Sequence, residues 1–130
     1  MKYFLDVNAL IAFGITQHQF HQRVVDWIRS RRGSTFLTSS ITEIGFVRVV
    51  ACVAMYGLNV VQARKLLVGM KANATQPLTF LSDGNDIAAL PAWVKSPAQT
   101  TDGHLLQLAK ANGAVLATLD EGIPGAFLIP

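Results

Sequence analysis

Short apolar runs alternate with helix-forming segments along the whole chain, and most links between them are only a few residues long. Tyr3–Leu5, Ser34–Thr38 and Ala114–Leu119 read as buried strands, with briefer ones at Leu78–Leu81 and Ala126–Ile129. Apolar residues at helical spacing predict a helix over His18–Arg32, another from Ser39 or Ser40 towards Tyr56, a third over Val60–Asn73 and a fourth from Thr100 to Gly113. Asn8–Phe13 reads as a short helical turn, Ser82–Leu90 as a short helix closed by Pro91, and Ala92–Gln99 as an irregular connection. Strands separated by helices pair in parallel, and their crossovers lay helices on the sheet's faces. The expectation is an α/β fold: a three-layer α/β/α sandwich with a central parallel sheet. At 130 residues the chain holds one such core, so residues 1–130 form a single domain.

Half of the residues are hydrophobic (51%) and 15% are charged, which excludes a disordered chain. Asp6 breaks the N-terminal apolar run too early for a signal peptide. Ile44–Val61 is the most apolar stretch, yet it carries Arg48, Gly57 and Asn59 and makes a poor membrane span. No membrane association is expected, and the lone Cys52 favours a reducing cytoplasm. The helix after Ser40 has an apolar surface wider than one core stripe, since Phe46, Val49 and Met55 lie off its main face. It calls for a second buried contact, with a homodimer mate or a protein partner.

The formal charge is only +3, which a solvated basic surface explains as well as nucleic acid does. Its distribution says more. Arg23, Arg29, Arg31 and Arg32 crowd one segment, and Arg48, Arg64, Lys65 and Lys71 follow in the next two. Asp6, Glu43, Asp102 and Asp120 each stand at the edge of an apolar element. Three of them have a local explanation. Asp6 suits a helix N-cap, Glu43 completes a capping box with Ser40, and Asp102 lies in a first helical turn where negative charge is favoured. In a parallel sheet, however, all four gather at the carboxyl edge, where open α/β folds keep their sites. Carboxylates confined together repel unless protonated or neutralised by a cation. Acids without Cys or a His cluster are hard oxygen donors suited to Mg²⁺ or Mn²⁺. His18 and His21, three apart, offer a metal pair or simply surface polarity, and His104 faces either the cleft or solvent.

Three segments in order, FLDVNAL, SSITEIGFVRV and TTDGHLLQLAKANGAVLATLD, resemble the PIN-domain proteins, and most of all the VapC toxins of bacterial toxin–antitoxin pairs. The resemblance spans essentially the whole chain. It implies a Mg²⁺- or Mn²⁺-dependent endoribonuclease that hydrolyses RNA, dimerises and is inhibited by a cognate antitoxin. It also implies that Asp6, Glu43, Asp102 and Asp120 are the metal-binding acidic quartet, with Asp6 and Asp102 in direct contact. By the same resemblance Asn8 and Thr118 orient carboxylates or water, or else only pack. Arg48 meets RNA phosphate or pairs with a site acid. Glu121-Gly122 after Asp120 departs from the polar or basic residues many relatives carry there, which leaves the grip on substrate at this rim open.

Two rival functions share the pattern. A phosphoacceptor receiver domain needs a second acid beside Asp6 and a lysine at a late strand end, whereas Val7 and Asn8 follow Asp6 and Lys110 falls mid-helix. A catalytically inactive PIN-like module, gripping RNA or a protein without cutting, is separated from the enzyme only by assay.

Overall fold

The computed structural model describes residues 1–130. Five parallel strands, β1 (Lys2–Leu5), β2 (Thr35–Thr38), β3 (Leu78–Phe80), β4 (Val115–Thr118) and β5 (Phe127–Leu128), form one sheet in the order β3-β2-β1-β4-β5. Helices α1 (Val7–Gly14) and α2 (His21–Ser30) carry the chain from β1 to β2. Helices α3 (Ser40–Cys52) and α4 (Val60–Lys71) lead to β3, and α5 (Thr100–Ala111) leads to β4. β1 lies at the centre, and the order reverses between β1 and β4, so the crevice outside their carboxyl ends is the natural site of the fold.

Register explains the two faces. Tyr3 pairs with Phe36 and Val115, and Phe4 with Leu37 and Leu116. Because side chains alternate along a strand, Tyr3, Leu5, Phe36 and Ala117 join Leu10, Val24, Trp27, Phe46 and Leu67 in a core beneath α1–α4. Tyr3 meets Trp27 edge-on at 4.9 Å and stacks on Phe36 at 5.7 Å. Phe4, Leu37 and Leu116 point the other way, into a smaller core with Leu105, Leu106 and Leu108 of α5. The strands are therefore apolar on both faces, as parallel sheets require.

The elements differ from the sequence expectations where side chains compete with the backbone. The helix over Ser82–Leu90 reduces to one turn, Ile87–Ala89, and Leu90 is extended (φ −61°, ψ 129°) because Pro91 disfavours the helical conformation before it. α2 begins at His21, not His18, since the His18 Nδ1 accepts the Phe20 N–H (3.0 Å) within a turn. α3 stops at Cys52; Val53 is extended and a short turn, Ala54–Tyr56, follows. Phe46 is fully buried and not off the core face, because α1 and α4 flank α3 on two sides. Ile44 and Met55 do remain exposed, at 66% and 70%. α5 ends as expected, with Gly113 in the left-handed region (φ 65°) that glycine enters without strain.

Candidate active site

β1 delivers Asp6 to the carboxyl edge, where its extended backbone makes it the N-cap of α1. Its Oδ1 accepts the Ala9 N–H at 2.8 Å, so the capping role is real. It is not the whole of it. Oδ2 accepts a short hydrogen bond from the hydroxyl of Thr118, the last residue of the neighbouring strand β4. The same Thr118 oxygen accepts the Asp120 N–H at 2.9 Å. One buried hydroxyl thus couples the end of β1 to the turn after β4, and Thr118 orients Asp6 where packing alone would not.

Burial leaves Asp6 only 5% exposed. Desolvation pushes its carboxyl up to about 6, and the charges of Asp102 and Asp120 add to that rise against the hydrogen bonds from Thr118 and Ala9. Asp102, half-buried in the first turn of α5, is likewise raised by burial and then by Asp120. Three aspartates from three parts of the chain therefore share one repulsive field. The exposed Asp120 holds its own turn, with Oδ1 accepting the Gly122 N–H at 2.7 Å. Exposed Asn8 lines a surface cavity of about 330 Å³ together with Asp120, His18 and Phe20.

Glu43 stands apart from this trio. The capping box expected between Ser40 and Glu43 does not form, because Ser39 is the cap and its N–H donates to the Thr42 hydroxyl at 2.9 Å. Glu43 is thereby free to reach the sheet edge. Its Oε2 accepts the hydroxyl of Thr38, at the end of β2, at 2.6 Å. The Lys71 ammonium lies 2.9 Å from Oε2 and 3.1 Å from Oε1. Nothing local announces Lys71, which lies 28 residues on in the chain.

Exposed Arg48 lines a groove of about 700 Å³ between α3 and α4 with Glu43, Arg64 and Lys71, over a floor that includes Val47 and Leu67. It pairs with no acid; the ion pairs of the chain are Lys71–Glu43 and His104–Asp83. The His18–His21 metal pair is not built, since His18 takes the Phe20 N–H and His21 Nδ1 bonds the Ala12 carbonyl at 2.7 Å. His104 faces neither solvent nor the acids. Its Nε2 makes a short contact to Asp83, which falls within the segment Ser82–Leu90 expected to be a helix. Burial works to raise Asp83, but the His104 and Asn85 hydrogen bonds and the His104 charge outweigh it and hold the carboxyl below its usual range. This pair ties α5 to the segment between β3 and α5. Gly103 lets that segment close, because a Cβ there would meet Val94 Cγ2 at 2.3 Å.

The donor chemistry of Asp6, Asp102 and Asp120 fits a hard divalent ion: three oxygen donors, two of them, Asp6 and Asp102, held back from ionising, with no thiolate among them. As the side chains stand, no three Asp, Glu, His or Cys groups are close enough to hold an ion between them.

Residues 3–126 match the family described as PIN domain. Ribonuclease VapC38 of Mycobacterium tuberculosis is 33% identical over 126 residues, spanning 92% of this chain and 85% of that protein. Ribonuclease VapC29 of the same organism is 30% identical over 124 residues, 95% of this chain and 89% of the relative. Among solved structures, VapBC2 from Rickettsia felis, bound to a DNA fragment from its promoter, superposes with a TM-score of 0.66 at 16% identity, covering 98% of this chain and 97% of that one. M. tuberculosis VapC20, a toxin that cleaves the sarcin–ricin loop, gives 0.65 at 9% identity over 93% and 92%. The chain belongs to the PIN-domain family, and within it to the VapC type.

Proposed function

We propose that this chain is a Mg²⁺- or Mn²⁺-dependent endoribonuclease, the toxin of a toxin–antitoxin pair. The observation that carries the reading is the field shared by Asp6, Asp102 and Asp120 at the carboxyl ends of β1 and β4. Ribonuclease-named relatives across nearly the whole chain support it. Asp6, Asp102 and Asp120 would hold the ion, and Glu43, held by Thr38 and Lys71, would complete the site by holding a water. When bound, the ion supplies charge neutralisation and a more acidic water.

The chain's own groups set the geometry. Thr118 and the Ala9 N–H each occupy one Asp6 oxygen, which leaves a lone pair on each and fixes their direction. Exposed Arg48 and Arg64 present guanidinium groups for RNA phosphates, and Asn8 stands beside Asp120 to orient water or substrate. Hydrolysis puts the water oxygen on phosphorus and breaks the P–O3′ bond, leaving a 5′-phosphate and a 3′-hydroxyl. The partners of this reading are RNA, a cognate antitoxin and a second copy of the chain, in the cytoplasm. VapBC2 and FitAB, the latter with a TM-score of 0.54, are structures of such fold neighbours bound to DNA. No helix here is long and apolar enough to cross a membrane.

The test is incubation of purified protein with structured RNAs in Mg²⁺, Mn²⁺ or a chelator, alongside Asp102→Asn. Cleavage should need the dication and vanish in the variant while the melting curve stays intact. RNA that is bound but never cut under any condition would make this a binding module. Full cleavage by Asp102→Asn would overturn the site.

A further inference from the structure

Lys71 is held where it is by several independent contacts. It is the last residue of α4, where the helix dipole favours a cation. Its ammonium lies 5.2 Å from the centre of the Phe80 ring, at the end of β3, an arrangement that attracts a cation to the ring face. It lies within ion-pair distance of both oxygens of Glu43, and Thr38 adds a second hydrogen bond to that carboxylate. Each Glu43 oxygen thus accepts one hydrogen bond, Oε2 from Thr38 and Oε1 from Lys71, with the ammonium in ion-pair contact with both. A divalent ion on this carboxylate would have to share it with an ammonium already 2.9 and 3.1 Å from its two oxygens. The aspartate trio has no such partner: the protein supplies a cation on the Glu43 side of the crevice and none on the other.

We infer that Lys71 is a built-in counter-cation for Glu43, taking the place of a second divalent ion, so that the site binds a single ion on the side of Asp6, Asp102 and Asp120. The inference rests on the proposed metal-dependent reading and adds to it the number of ions and the residue that sets that number. Lys71 acts as a positioning residue. It holds Glu43 oriented without a metal, as a carboxylate able to fix water or substrate.

Binding stoichiometry tests this directly. The full chain is titrated with Mn²⁺, and free Mn²⁺ is followed by electron paramagnetic resonance in wild type, Lys71→Arg, Lys71→Met and Lys71→Met/Glu43→Gln. Wild type and Lys71→Arg should bind one ion per chain. Lys71→Met, which keeps the apolar stem, should bind two, and removing the freed carboxylate with Glu43→Gln should restore one. RNA cleavage should rise with the first power of Mn²⁺ in wild type and the second in Lys71→Met. Two ions in wild type, or one in a folded Lys71→Met, overturns the inference while sparing the metal-dependent enzyme. No Mn²⁺ binding in wild type removes both. If Lys71→Met fails to fold, Lys71→Gln takes its place: two ions per chain support the inference and one overturns it.

Discussion

Asp6→Asn should make the protein more stable at neutral pH while destroying its proposed activity. The Asp6 carboxyl titrates at about 6 in the fold against 3.8 for the free group, a difference of about 2 units. At 1.36 kcal/mol per unit, ionised Asp6 costs the fold about 3 kcal/mol at pH 8. The sign follows from proton binding. Between pH 3.8 and about 6 the folded state holds the proton more tightly, so this contribution is complete below 3.8 and disappears as pH rises through about 6. Asparagine removes the charge and still caps α1, because its oxygen accepts the Ala9 N–H. Its amide faces Thr118, whose hydroxyl must turn to accept, for which about 1 kcal/mol is discounted. A gain of about 2 kcal/mol remains, or ~8 °C in melting temperature at ~4 °C per kcal/mol.

The assay is thermal unfolding of both proteins from pH 4 to 8 in a chelator. The curves should run close together at pH 4 and separate as wild type loses stability towards pH 8. Adding Mn²⁺ should then raise wild type alone, by about 2.7 kcal/mol at a hundred times its dissociation constant. Parallel curves across the range, or a variant less stable than wild type at pH 8, would refute the argument that Asp6 is an electrostatic liability kept for function.

Thr118→Val removes the hydroxyl that lowers the Asp6 titration and orients its Oδ2. The stability loss with rising pH should move to higher pH, and RNA cleavage should fall roughly 10- to 100-fold, as for other partners that orient a ligand. Gly103→Ala places a Cβ 2.3 Å from a methyl of Val94, a stiff side chain. Overpacking costs about 1–3 kcal/mol, offset in part by alanine's better helix propensity, so denaturant unfolding should shift to lower concentration. Because Gly103 adjoins Asp102, cleavage should drop further than stability does, which kinetics at a temperature well below unfolding checks. Phe36→Ala empties the space against Tyr3 and Trp27 and should cost about 3–5 kcal/mol with no change in the pH at which Asp6 titrates.

The strand–helix alternation, the parallel sheet and the acids at its edge were legible in the sequence because they follow from local periodicity and chain connectivity. Tyr3–Leu5 is too short and apolar to be anything but a buried strand, and Asp6 falls at its end whatever packs around it. Thr100–Gly113 announces its own start and stop. The errors arose where a side chain had two suitors. Pro91 and Asp86 unmade the helix over Ser82–Leu90, and Ser39 with Thr42 took the cap that Ser40 and Glu43 were expected to form.

What only the tertiary structure decided is which charges meet. Thr118 bonds Asp6 across 112 residues, His104 finds Asp83 across 21, and Lys71 finds Glu43 across 28. Residue types and spacing along a chain determine which edge of the sheet a group reaches. Whether that group ends against a hydroxyl, an ammonium or another carboxylate depends on distances of a few ångströms between elements, which only packing sets. The sequence alone therefore assembled a quartet of acids, and the folded chain divides it into three that repel one another and one that lysine already satisfies.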